Sequence, residues 1–459
     1  MLSASGLADK LNGRVITPDD AQYDAARTVF SGAIDRRPAM IARVADAADV
    51  ARVIAHARET GLELAVRSGG HSPAGHSASD GGIVLDLTDM RALQVDAERR
   101  AAWAQTGLTA GAYTAAAGAH GLATGFGDAG SVGIGGITLS GGVGFLVRKH
   151  GLTIDDLLAA DVVTAEGELV RADAERHPDL FWAIRGGGGN FGVVTRLRLR
   201  LHPVSTIVGG MLILPATADV IASFVAEADA APEELSTIAN VMTAPSLPFL
   251  AREHHGRPVL MAQLAYTGAV EDGQRAVDRF RAPATPLADL VRPMPYPEIY
   301  GPAREDYHPV AVARTMFVSG IDRRAAQTIV DRLQATSAPM AVAQLRVLGG
   351  AMARVSEGTT AFAHRRSRIM VMVAAVYERP DDRPQHEAWV TDLATVLEDG
   401  DAGAYVGFLT DEGAERVRAA YPGPTWDRLA AIKARYDPGN VFRLNQNIPP
   451  AAEPASQAA

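Results

Sequence analysis

The stretch Asp179-Leu-Phe-Trp-Ala-Ile-Arg185-Gly-Gly-Gly-Gly-Asn190-Phe191-Gly192-Val-Val-Thr-Arg-Leu-Arg-Leu-Arg-Leu201 decides which kind of fold this chain can adopt. Residues 187–192 satisfy G-x-G-x-x-G, the spacing with which a Rossmann fold binds a dinucleotide. That site needs a strand before the glycines and a helix after them, so that the pyrophosphate meets a helix N-terminus. Here the order is inverted. Residues 179–185 read as a short helix and residues 186–189 as a break. Residues 193–201 read as a strand, and their later half alternates Arg with Leu, the period of a sheet with one wet face. The glycines are therefore a turn, and a classical NAD-binding Rossmann site is excluded.

Upstream, the apolar run at residues 39–44 precedes a segment that places Val50, Val53, Ile54 and Ala57 on one helical face. Asp46 and Asp49 stand where an N-cap and a first-turn acid belong, Gly61 follows the last helical residue, and residues 62–66 resume as a strand. This is a βαβ unit. Arg67-Ser68-Gly69-Gly70-His71-Ser72 follows as a polar glycine turn, and residues 81–87 as another strand. Glycine is dense again between residues 124 and 151, which lets backbone approach a ligand closely but would also serve tight turns.

Downstream of Pro203 the glycine clusters stop and prolines enter, so residues 204–405 are expected to form a second domain. Near the end, Trp426, Leu429, Ala430 and Lys433 recur at helical spacing until Tyr436-Asp437-Pro438-Gly439 stops the helix. The tail from Pro449 is rich in Pro and Ala and reads as a frayed end.

Composition removes whole classes of function. The 459 residues contain no cysteine, which excludes disulfide scaffolds, thiolate zinc sites, iron-sulfur clusters and cysteine hydrolases. A hydrophobic share of 47% is ample for large cores, and the length suggests two or three domains. A net charge of -9 with no basic block gives no footprint for nucleic acid or an anionic membrane. Asp9, Lys10 and Arg14 interrupt the apolar run a secretory signal would need, so a cytoplasmic location is expected. No H-E-x-x-H, P-loop or G-x-S-x-G occurs, and His254-His255 reads as a solvated turn, so no metal is expected.

His71 is the side chain with the clearest chemical promise. Gly69 and Gly70 give its imidazole steric access, and Arg67 is a cation able to stabilise bound anionic groups. A satisfied structural histidine would look the same in sequence.

Four blocks in order carry a family resemblance: Arg67 to His71, the glycine segments VGIGG (132–136) and SGGVG (140–144), Phe181 to Val194, and Tyr436 to Ile448. Together they resemble the berberine bridge enzyme-like group, of the vanillyl-alcohol oxidase type of FAD-dependent oxidoreductases. The resemblance implies an α+β fold with a bipartite, PCMH-type FAD-binding domain (residues 1–203 and 406–459). This would enclose a substrate domain (204–405) built on a large antiparallel sheet with helices on its back. It implies that His71 bonds covalently to the flavin 8α-methyl, and that Arg67, Ser68, Gly69, Gly70 and Ser72 form the pyrophosphate loop. It also implies cofactor contacts from Gly133, Gly135, Gly136, Thr138 and Gly142, from Val194, and from Asn445 and Asn447.

Two positions depart from the pattern. Many relatives bear a second covalent link from a cysteine where this chain has Ala129, so attachment is expected to be single. Sugar-oxidising relatives use a tyrosine base in Tyr-x-Asn-Tyr, which here reads Tyr405-Val406-Gly407-Phe408. The expected reaction is hydride transfer from a C–H next to nitrogen or oxygen of a small molecule to FAD, with O2 reoxidising the flavin to give H2O2. Tyr405 is the candidate polar group on the substrate side, with Tyr266, Tyr300, Glu357 and His364 behind it. An oxidative cyclase or oxygenase, or a flavin-bearing protein without turnover, would carry the same cofactor blocks. A homo-oligomer is compatible with the chain.

Overall fold

The computed structural model describes residues 4–301 and 306–452; of the Pro/Ala-rich tail, residues 453–459 lie outside the described residues. Near the N-terminus a four-stranded sheet has the order Arg14–Ile16, Met40–Arg43, Ile83–Asp86, Leu64–Arg67. The helix Ala47–Thr60 crosses it, begun by the Asp46 carboxylate accepting from the Asp49 N–H and ended by Gly61 at φ +69°. Ile83–Asp86 lies between the two strands of the βαβ unit and is parallel to both. The loop at residues 68–82 is thereby held at both ends by buried strands.

The Arg/Leu alternation forms the centre of a five-stranded antiparallel sheet, the strand Val193–Arg200, flanked by Ala101–Gln105 and Leu157–Val163. Leu197 and Leu199 are fully buried, while the Arg171 and Arg196 guanidinium groups both lie over the Trp103 ring, at 4.7 and 4.8 Å. Within the glycine-dense segment, which suits close approach to a ligand or tight turns, the chain forms a short helix, Ile134–Ser140. Tertiary packing overrides the poor helix propensity of Gly135, because a Cβ there would stand 3.0 Å from Ser68 Oγ.

A large eight-stranded sheet spans Thr206–Pro215 to Ile369–Val376, with every pairing antiparallel. Helices Ala218–Ala230, Val270–Arg281, Arg323–Ala335 and Arg383–Leu397 contribute to the core on one of its faces. Leu260, Ala262, Leu264, Ile329 and Leu333 are among the buried residues of that core, where each large apolar side chain contributes roughly 1.5–3 kcal/mol. On Met340–Val347, Ala341, Ala343, Leu345 and Val347 face these helices; Val342, Gln344 and Arg346 therefore face the other way. No helix among the described residues is long and apolar enough to cross a membrane.

Candidate active site

Between the glycine loops and the face of the large sheet opposite its four long helices lies a cavity of about 550 Å³. One wall comes from the 68–77 loop, the segment 127–143 and the Gly188 to Val194 turn. The opposite wall comes from Ala311, Ala313, Gln344, Arg346 and Met372 of the sheet, and residues 405–410 and 442–446 close the remainder.

The loops are locked together through missing side chains. A Cβ on Gly69 would sit 2.3 Å from Gly133 N, and one on Gly133 would sit 2.3 Å from Gly69 N. Ser68 reinforces the junction: its hydroxyl donates to the Thr106 carbonyl and accepts from Gly135 N–H at 3.2 Å. Backbone N–H groups of Gly69, Gly70, His71 and Ser72 donate to no acceptor among the described residues. Consecutive free amides on a cavity wall form a concavity suited to an anion such as a diphosphate. Asn445 also lines the cavity, with its buried Oδ1 lacking a partner. On both counts the residues fit an FAD.

His71 lies on this wall, stacked on Phe30 with ring centroids 4.2 Å apart. Burial pushes its pKa down to about 4, against the opposing pull of the Asp128 carboxylate, so the ring is neutral near pH 7. His76, on the same loop, is held at about 4 chiefly by burial, with the Arg36 charge adding to it.

Ser68, Gly69, Gly70, Ser72, Gly133, Gly135, Gly136 and Val194 all line the cavity. Arg67, Thr138, Gly142 and Asn447 do not. The Arg67 guanidinium is buried and donates to the carbonyls of Ala26 and Ser77, so it is not available to an anion in the cavity. Thr138 is fully buried, and Asn447 has a buried Oδ1. Gly142, at φ +81°, turns the backbone so that its N–H reaches the Tyr405 hydroxyl at 3.1 Å.

Of the substrate-side candidates only Tyr405 lines the cavity. Its hydroxyl accepts from Gly142 and its pKa is raised above the ordinary tyrosine value by burial, which is the wrong direction for a base. Tyr266 is packed in the helix-side core of the large sheet. Tyr300 is half-buried beside Tyr296, Glu357 pairs with Arg366 in solvent, and His364 packs against Phe317 and Phe362.

Sequence reading passed over the charged pair in the cavity. Arg346 Nη2 donates to Asp128 Oδ2 at 2.6 Å and to Gln344 Oε1 at 2.8 Å, and Nη1 donates to the Val143 carbonyl. Its guanidinium lies over the Phe408 ring at 5.0 Å. The alternation Val342, Gln344, Arg346 on a strand with an apolar opposite face was the available signal for the sheet side. Nothing in sequence linked it to Asp128, 218 residues away.

Comparison with known proteins agrees with this architecture. The family described as "FAD binding domain" matches residues 38–173, and that described as "Berberine and berberine like" matches residues 404–449. The (R)-6-hydroxynicotine oxidase of Paenarthrobacter nicotinovorans is 31% identical over 453 residues, covering 96% of this chain and 97% of that protein. A xylooligosaccharide oxidase of Thermothelomyces thermophilus is 28% identical, covering 95% and 92%. Among solved structures, 6-hydroxy-D-nicotine oxidase from Arthrobacter nicotinovorans superimposes with a TM-score of 0.86 at 28% identity, covering 96% of this chain and 98% of the other. BBE-like 1 of Physcomitrella patens does so with 0.86 at 23% identity, covering 98% and 100%, a likeness of fold. With its glycine-lined cavity, its helix-backed antiparallel sheet and these matches over nearly its full length, the chain belongs to the berberine bridge enzyme-like FAD-linked oxidoreductases.

Proposed function

We propose that this protein is an FAD-dependent oxidase that takes hydride from a C–H bond next to nitrogen or oxygen in a small amine or alcohol. Dioxygen is the second substrate and hydrogen peroxide the product. FAD is attached by a single covalent bond to His71. The observation that carries the reading is the wall on which the free amides of residues 69–72 adjoin a neutral imidazole.

When bound, FAD supplies the hydride acceptor and the reaction with dioxygen. The chain supplies the rest. Amides of Gly69, Gly70 and Ser72 hold negative charge without a cationic side chain, since Arg67 is spent on carbonyls. His71, uncharged at neutral pH, carries the free lone pair a nucleophilic nitrogen needs. Ala129 lines the cavity where a second link would start, so attachment remains single. Gly133, Gly135, Gly136, Val194 and Asn445, which line the cavity, would hold the cofactor, whereas Thr138, Gly142 and Asn447 would shape the segments that do. Tyr405 keeps its proton and orients a substrate heteroatom; a neutral amine needs no strong base from the protein. Residues 1–203 with 406–459 form the cofactor part and 204–405 the substrate part, and the enzyme works in the cytoplasm.

The test is to denature the purified protein and a His71→Ala variant in acid and view both bands for flavin fluorescence. A fluorescent wild-type band and a dark variant band are expected, together with one equivalent of peroxide per amine or alcohol consumed. A colourless protein with no flavin in the supernatant would sink the proposal.

A further inference from the structure

The charges in the cavity support a statement about which molecules it admits. Among the described residues lining it, Asp128 and Arg346 are the only acid and the only Lys or Arg, and they are paired with each other. The two histidines on the wall, His71 and His76, are held neutral well above pH 4. The remaining sheet wall is apolar or amide, from Ala311, Ala313, Met372 and Gln344, and beside it Tyr405 and Thr410 add neutral hydroxyls and Phe408 a ring.

The geometry of the pair is asymmetric. Arg346 is buried and its donors are committed to Asp128, Gln344 and the Val143 carbonyl. Gln344 is fixed in turn by donating to Asn240 Oδ1 at 2.9 Å. Asp128 is more open, at 27% side-chain exposure, and only its Oδ2 has a hydrogen-bond partner. Its Oδ1 is a free acceptor at the cavity wall. An incoming group therefore meets one acceptor oxygen whose charge is already balanced.

We propose that the Asp128–Arg346 pair makes this cavity selective for substrates that are uncharged when bound, with an O–H or N–H donor on a small apolar body. The pair excludes carboxylates and fixed cations alike. A carboxylate faces the Asp128 oxygen and finds no free guanidinium donor. A fixed cation gains little from a carboxylate already neutralised by Arg346, while losing its hydration. This rests on the proposed oxidase reading, because it narrows the substrate class of that same cavity.

The test uses flavin absorbance difference spectra on the holoprotein at pH 8, with three probes that share one ring: benzyl alcohol, benzoate and benzyltrimethylammonium. Wild type is expected to respond to benzyl alcohol and to neither ion. Asp128→Asn leaves Arg346 uncompensated and should tighten benzoate binding by about tenfold or more. Arg346→Gln leaves Asp128 uncompensated and should do the same for the ammonium probe. The double variant Asp128→Asn/Arg346→Gln removes both charges, should recover the neutral preference, and serves if either single variant folds poorly. Charge brought by the cofactor is the same in all four proteins and cancels in the comparison. Benzoate or ammonium binding to wild type as tightly as to the single variants would overturn the proposal, as would probes that perturb none of the four flavin spectra. Protein that carries no flavin would instead contradict the oxidase reading, so the two failures are distinguishable.

Discussion

Lys433 Nζ lies 2.6 Å from Asp437 Oδ2, one helical turn along, and neither side chain exposes any surface. The ammonium also donates to the Asn190 carbonyl at 2.8 Å and the Phe442 carbonyl at 3.3 Å. The carboxylate accepts from the N–H groups of Val441 and Phe442. This buried pair ties the C-terminal helix to the Gly187–Gly192 turn and to the segment that closes the cavity. Replacing Lys433 with Met strands Asp437 in the core, and a loss of about 3–5 kcal/mol is expected, read as a fall in the urea midpoint at pH 7. A midpoint unchanged within error would show that the pair contributes nothing net.

Asn190 is the second part of this clasp. Its amide donates to the carbonyls of Gly187 and Gln446 and its Oδ1 accepts from Ile448 N–H. Asn190→Ala should cost about 1–3 kcal/mol, because buried backbone groups lose their partners. Hydrogen exchange should quicken at Ile448 and stay unchanged in the helix-side strands of the large sheet.

The glycines divide into those the fold needs and those the cofactor needs. A Cβ on Gly69 meets Gly133 backbone, which cannot rotate away, whereas a Cβ on Gly136 meets nothing within 4 Å. Gly69→Ala should therefore lower both the melting temperature and the flavin content, with about 1–3 kcal/mol of overpacking. Gly136→Ala should leave the melting temperature of cofactor-free protein unchanged while lowering flavin content, because Gly136 lines the cavity. Equal flavin loading of Gly136→Ala and wild type would show that the cofactor does not approach this wall.

His150 stacks on His202 with ring centroids 3.8 Å apart, and its Nε2 is buried without a partner. Burial first, then the His202 and Lys149 charges, push its pKa down to about 3. A histidine depressed in the fold binds more protons unfolded than folded. Its contribution is complete above the unfolded value near 6.5 and is lost as pH falls toward 3. Stability should therefore decline below pH 6.5 with a slope of up to about 1.4 kcal/mol per pH unit from this group. His150→Phe should flatten that part of the curve in urea titrations at pH 7, 6 and 5; an unaltered slope would exclude the effect.

Local order is legible in the sequence because it is written in nearest neighbours. Arg196 to Leu201 alternates with strand period, Asp46 and Gly61 bracket a helix by capping chemistry, and the helix before Gly186 with the strand after Gly192 exclude a Rossmann site. Resemblance in the glycine blocks led to the family, and those blocks do meet at one cavity. The helix Ile134–Ser140 was missed because glycine is a poor helix former on its own and becomes acceptable only where a neighbour such as Ser68 demands close approach.

What depended on the tertiary structure is the direction and pairing of side chains. Arg67 looked like an anion ligand, but the carbonyls of Ala26 and Ser77 were closer to its guanidinium than the cavity was. Tyr405 was the candidate polar group on the substrate side, and it does line the cavity, but burial raises its pKa, the wrong direction for a base. Asp128 and Arg346 carried no signal of each other, because a pair separated by 218 residues is made by the packing of a glycine loop against a sheet face. Periodicity and capping act over a few residues and survive in the one-dimensional string. Charge compensation, desolvation and the shape of a cavity act through space and exist only once the chain has folded.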